Sequence, residues 1–212
     1  NAIFLSVWIY LPRATASLGS ERSLAVTTAT ALLAWAMFGM VTILCIGELS
    51  EYGTGPRTIG MIGIALTAVF GIVLGWKPYE SPKGSREVSK SILLARGLMA
   101  ATAIGASVWV AGLGYPLLAG LASVFPAIFL TSMVSLWISQ GPSVPRGAAA
   151  PMLLGGGSVG VYSLVAMYSL EAHGIILGSI MSWVTAVAVW SMPSYIYLRW
   201  RTGVGDSRKV VS

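Results

Sequence analysis

The sequence predicts an all-α, polytopic integral membrane bundle of six full transmembrane helices, with a seventh apolar segment at the N-terminus. Three observations predict it. Hydrophobic residues make up 56% of the 212 and charged residues only 9%, against roughly a quarter charged in a soluble domain. Apolar runs recur at about 20 residues, the length that crosses a hydrocarbon core of about 30 Å as a helix. Threading those runs alternately across a bilayer collects almost all the basic residues on one side. The mean hydropathy of +0.80 agrees. No strand-like alternation competes, and a helix satisfies its own backbone hydrogen bonds in lipid.

Taken in order, residues 1–11 (NAIFLSVWIYL) are apolar but too short to span. They read as the visible part of a helix, because no positive n-region or small-residue cleavage site marks a signal peptide. A chain beginning at Asn1 is expected to be processed or to continue upstream. Full spans are predicted at residues 23–47, 57–76, 91–113, 116–139, 147–170 and 173–198. Turn chemistry separates them at LPRATASLGSERS, GELSEYGTGPR, KPYESPKGSREVSK and SQGPSVPRG. Tight turns are expected at Gly114-Tyr115-Pro116 and at Glu171-Ala172-His173. The length suits one membrane domain, residues 1–212.

Alternation places loops 12–22, 77–90 and 140–146 and the C-terminal tail on the same side. Eleven of the 13 Lys and Arg residues fall there, Arg57 falls opposite, and Arg96 lies just inside its helix near the basic side. The basic side is therefore expected to be the cytoplasm, or an organelle's matrix or stroma. The net charge of +6 is accounted for by this bias. It calls for no nucleic-acid partner, and the lipid bilayer is the partner expected.

Residues 140–165 (QGPSVPRGAAAPMLLGGGSVGVYSLV) echo residues 50–75 (SEYGTGPRTIGMIGIALTAVFGIVLG). Each has a polar loop, then Pro-Arg, then a glycine-punctuated apolar run. Pro56-Arg57 and Pro145-Arg146 stand 89 positions apart (145 less 56). At that offset Leu32 meets Leu121, Thr42 meets Thr131, Ser50 meets Ser139 and Gly71 meets Gly160. Two readings stay open. One is an inverted repeat of units 23–76 and 116–170, as in transporters whose sites lie near the bilayer midplane. The other is ordinary membrane punctuation, with Pro at a helix start and Arg at the interface.

Small residues recur four apart, as Gly63, Thr67, Gly71 and Gly75, as Gly97, Ala101 and Gly105, as Gly156 and Gly160, and as Gly174, Gly178 and Ser182. Such faces let helix backbones approach closely. Close packing is the plainer reading of Gly155, Gly156 and Gly157. The sharper one has them deform the helix and offer backbone groups, beside Ser158, to a ligand. Pro126 falls mid-span, followed by Thr131, Ser132 and Ser135. A proline there is expected to kink the helix, and the hydroxyls either satisfy backbone or line a polar path.

Other chemistry lacks its residues. Gly156-Gly157-Ser158-Val159-Gly160 fits GxSxG in letters, but the nucleophile elbow needs a strand before it, and the only histidine, His173, is 15 residues on. One Cys, one His and seven scattered acids supply no metal or cofactor site, so none is expected, and enzymatic activity is not expected either. No carboxylate sits mid-span for ion coupling. Tryptophans 76, 109, 137 and 200 mark span ends, while Trp35, Trp183 and Trp190 lie deeper, where packing or lipid contact competes with lining a cavity.

Residues 44–75 (LCIGELSEYGTGPRTIGMIGIALTAVFGIVLG) resemble the Gly-Glu loop and glycine-spaced final helix of drug/metabolite transporter repeats. The likeness stops at that stretch and carries over no site. Two functions are expected to compete. One is transporter-like or channel-like passage of a small solute, with Pro126, Thr131, Ser132, Ser135, Gly155, Gly156, Gly157 and Ser158 as path candidates. The other is a non-catalytic structural subunit or assembly factor of a larger membrane complex, docking or self-associating through its small-residue faces.

Overall fold

The structure is a computed structural model and describes residues 1–76 and 89–209. The expected segment 77–90 lies outside the described residues except at its end. Every described element is helical. In order they are α1 (Ala2–Ala14), a 3₁₀ turn (Ala16–Leu18), α2 (Ser20–Glu51), α3 (Pro56–Trp76) and α4 (Lys90–Gly112). Then follow α5 (Pro116–Ser123), α6 (Ala127–Gln140), α7 (Ser143–Ala186), a π-helical turn (Val187–Ser191) and α8 (Met192–Lys209). Among the described residues five stretches are long and apolar enough to cross a membrane: Ser20–Leu49, Pro56–Trp76, Leu93–Gly112, Leu117–Gln140 and Ser143–Arg201.

The sequence led us to expect a kinked helix at Pro126; the structure has two helices. Pro126 lacks an N–H and its ring crowds the carbonyl four residues back, while the residue before a proline is pushed out of the α region. Accordingly α5 stops at Ser123, and Pro126 (φ −78°, ψ 42°) becomes the N-cap of α6. The expected loop 140–146 contracts to residues 141 and 142, because α7 begins at Ser143. Pro145 sits in its first turn, where a missing N–H costs nothing.

The turn expected at Glu171-Ala172-His173 falls instead at Gly174, whose φ of 72° and ψ of 177° are non-helical. This left-handed backbone favours glycine. The chain reverses there. Ser169 Oγ and Ser182 Oγ, 13 residues apart, are 2.7 Å from each other, where an unbroken helix would separate them by roughly 20 Å. The long fifth stretch is thus a hairpin of two limbs, residues 143–173 and 175–201.

The chain divides into two compact units. The first holds α1, α2, α4, α5, α6 and α7 as far as Ala149; the second holds α3, the rest of α7 and α8. In the first unit α1 supplies the core, with Phe4, Leu5, Trp8 and Ile9 wholly buried. Trp8 meets Trp137 edge-on at 6.0 Å. Trp137 Nε1 donates to Ser20 Oγ at 3.2 Å, Thr15 and Ser23 share a 2.6 Å hydrogen bond, and Arg146 Nε donates to the Ile9 carbonyl at 2.9 Å. The end of α1, the start of α2, the end of α6 and the start of α7 therefore meet.

In the second unit α3 runs antiparallel to the first limb of α7. A Cβ added at Gly71 would lie 2.5 Å from Leu154 Cδ2, and one at Gly160 would lie 3.2 Å from Ile64 Cγ1. Outside these contacts, Gly60 faces Leu164 and Gly75 faces Ala150 and Tyr197. Glycine admits these approaches because helix association in lipid depends on close packing. The reversed limb packs back on the first. At Gly178 a Cβ would lie 2.5 Å from the Ser169 carbonyl oxygen, and Ser169 Oγ donates to Gly178 O at 3.0 Å. Val161, Ala186 and Trp190 form a buried cluster with Ile64 and Ala68 packed against it.

Candidate functional site

The path candidates fall into two groups, one in each unit, and each is described by itself. In the first unit Pro126 and Ser132 are buried, while Thr131 and Ser135 are half-buried on α6. Thr131 Oγ1 donates to the carbonyls of Ala127 at 2.8 Å and Ile128 at 3.2 Å. That bond serves the first turn of α6, which Pro126 opens without a side-chain cap. The Thr131 hydroxyl proton is thus committed to its own helix, and only oxygen lone pairs remain for a partner.

In the second unit the glycine run has a structural role at one position and an open one at another. Gly157 is buried, and a Cβ there would overlap the indole ring of Trp190. Trp190 Nε1 donates to the Leu154 carbonyl, also buried. The glycine removes the side chain that would hold the indole away, and the indole reaches a carbonyl of the facing limb. Gly155 is exposed with nothing within 4 Å of an added Cβ, and Gly156 is half-buried. Ser158 Oγ donates to the Gly155 carbonyl at 2.7 Å, so it too offers lone pairs only.

Trp190 lies in the π-helical turn Val187–Ser191. Pro193 follows two residues later, and its ring and absent N–H disfavour a regular turn over the preceding carbonyls. Widened turns of this kind commonly mark functional positions. The sequence marks Trp190 as a deep tryptophan, but nothing in it points to Gly157 as its partner. Their pairing depends on where the chain reverses.

The polar ends of the second unit are also fixed by aromatic residues. The Arg57 guanidinium lies 4.4 Å from the centre of the Tyr168 ring, a cation–π contact. At the other end Arg201 donates to the Trp76 carbonyl and stacks 4.7 Å from its ring, placing a cation at the C-terminus of α3, where the helix dipole favours it. Tyr197 Oη donates to the Ile72 carbonyl at 3.1 Å. Nothing in the sequence beyond interfacial aromatics signalled these contacts. Among the described residues no three His, Cys, Asp or Glu side chains gather to hold a metal ion.

Comparison of the chain with protein-family models, curated proteins and solved structures gives no match.

Proposed function

We propose that this chain is a multi-pass membrane carrier or channel for a small uncharged solute, built as one membrane domain from an inverted repeat of units 23–76 and 116–170. The division of the chain carries the reading. The first unit holds α2 and α6 and the second holds α3 and most of α7, so each proposed repeat is split alike. The Pro-Arg motifs, 89 positions apart, open α3 and the first turn of α7.

In this reading the broken spans are sites of exposed backbone near the midplane. Pro126, Thr131, Ser132 and Ser135 line one part of the path, and Gly155, Gly156, Gly157 and Ser158 another. Thr131 and Ser158 present acceptors, so the favoured solute carries O–H or N–H donors. The Gly174 hairpin makes two of the six full spans, and α1 is the seventh. The clustered α1, α2, α6 and α7 ends, and separately the Trp76–Arg201 contact, support alternation with the C-terminus and segments 77–90 and 140–146 on the cytoplasmic, matrix or stromal side.

The test is solute-driven swelling of proteoliposomes holding the purified chain, across a series of small polyols, amides and sugars. Swelling no faster than in protein-free vesicles for every solute would refute the proposal. A second reading, a non-catalytic subunit or assembly factor, is favoured by α4, where Gly97 and Gly105 meet nothing within 4 Å. Gentle solubilisation from the native membrane separates the two. A particle of one to three copies supports the carrier; a stable large assembly with stoichiometric partners supports the subunit.

A further inference from the structure

The first unit contains an open groove of about 570 Å³ walled by α2, α4, α5 and the break that follows α5, with Leu98, Thr102, Ala106 and Leu118 exposed along it. Trp35 and Phe125 form one wall, packed edge to face with ring centres 5.3 Å apart. The wall closes because Gly39 admits Leu121, whose Cδ1 would lie 2.6 Å from a Cβ at that position. Among the described residues, Thr102 is the only lining residue with a polar side chain apart from the Trp35 indole. Its hydroxyl donates to the Leu98 carbonyl at 2.9 Å. Ala103 and Ala106 leave the α4 side shallow. The site therefore selects an occupant without hydrogen-bonding groups.

Its depth narrows the occupant further. Thr102 stands near the middle of the apolar stretch Leu93–Gly112, and Trp35 near the middle of Ser20–Leu49. At 1.5 Å per residue, Thr102 is roughly 14 Å from either end of its stretch, which is half of a hydrocarbon core about 30 Å thick. At that depth a bilayer presents the terminal methyl halves of its acyl chains. We infer that this groove is a binding site for the terminal half of a phospholipid acyl chain, held at the bilayer midplane. Lipid tails are as apolar as the walls, so selectivity comes from packing. A chain in the concavity touches wall atoms on several sides, whereas a chain on a flat helix face touches one. The site rests on α2 and α4 spanning the bilayer and is independent of solute passage.

The test uses the whole chain in proteoliposomes doped with phosphatidylcholine bearing a diazirine near the end of one acyl chain. Ultraviolet adducts are mapped by peptide mass spectrometry. The expected result is at least about threefold more adduct on residues 98–106 and 118–125 than on the exposed α3 side chains Met61, Ile62, Leu66, Val69, Phe70 and Val73. Filling the site with Ala103→Phe and Ala106→Phe should bring the ratio to about one. Equal labelling of α3 and the groove in the wild-type chain would overturn the inference, as would a ratio unchanged by filling. Should the filled variants fail to insert, quenching by chain-terminal dibrominated lipid decides. The wild-type chain should lose more of its emission than Trp35→Phe loses, and an equal loss would overturn the site. Absence of adduct on α3 as well as on the groove would overturn the membrane reading with it.

Discussion

Replacing Gly178 by Ala should separate the two limbs of the hairpin. The new Cβ would meet the Ser169 carbonyl oxygen at 2.5 Å, its carbonyl carbon at 2.7 Å and Leu170 Cα at 2.8 Å. All three are backbone atoms, so no rotamer change relieves the overlap. Reaching ordinary contact near 3.4 Å requires the limbs to part by about 0.9 Å. The Ser169–Gly178 and Ser169–Ser182 bonds, now 3.0 and 2.7 Å, would then stretch beyond useful hydrogen-bond length. Overpacking costs about 1–3 kcal/mol, and each lost bond about 0.6 kcal/mol in a membrane protein. The total is about 2–4 kcal/mol. At roughly 2–4 °C per kcal/mol for a chain of this size, the midpoint falls by roughly 4–16 °C. Thermal unfolding in mild detergent, followed by intrinsic fluorescence, reads the shift. Gly155→Ala is the matched control, since nothing lies within 4 Å of its added methyl, and its midpoint should stay within about 2 °C of the wild type. If Gly178→Ala behaves like that control, the hairpin contact is wrong.

Gly157→Ala should destabilise by about 1–3 kcal/mol through the Trp190 indole, and combining it with Trp190→Leu should cost less than the two single changes added together; strict additivity in the unfolding midpoints would refute the contact. Trp137→Phe and Ser20→Ala each remove one bond and should each cost about 1 kcal/mol, with the double variant no worse than either, as a thermal-melt cycle would show. With Cys45 replaced by Ala, a membrane-impermeant thiol reagent applied to the cytoplasmic face should label Pro142→Cys and not Tyr52→Cys; the reverse pattern would invert the proposed topology. If the path candidates carry solute, Pro126→Ala and Gly156→Leu should slow proteoliposome swelling several-fold at expression near the wild-type level, whereas parallel loss of both would assign these residues to packing.

The helical class was legible because it follows from local quantities: apolar run length, turn residues and charge. Span limits near Pro56, Trp76, Lys90 and Gly112 agree closely with expectation for that reason. Pro126 shows where local reading runs short. Its chemistry predicts a disturbance, but whether a helix bends or divides depends on what the freed groups meet, and here the Phe125 N–H donates to the Ala122 carbonyl that Pro126 leaves free. At the second turn, polar Glu171 and His173 marked the neighbourhood, whereas the reversal belongs to Gly174 because only its backbone takes the required φ. The Gly157–Trp190 and Gly71–Leu154 contacts were out of reach. A small-residue stripe indicates that something packs closely there and does not say which helix. Gly71 and Gly75 on α3 and Gly160 on α7 serve contacts within the chain, while Gly97 and Gly105 on α4 meet nothing within 4 Å among the described residues, and their spacing is the same.

The reversal at Gly174 also bears on how the chain is made. Only one residue departs from helical geometry there, so no hydrophilic loop exists to be carried across the bilayer on its own. Each hydroxyl also has a partner within its own limb, Ser169 at the Val165 carbonyl and Ser182 at the Gly178 carbonyl. If the limbs cross a bilayer, the first therefore presents no unsatisfied hydroxyl to lipid while the second is still being made, and the bonds between limbs are added when the two meet.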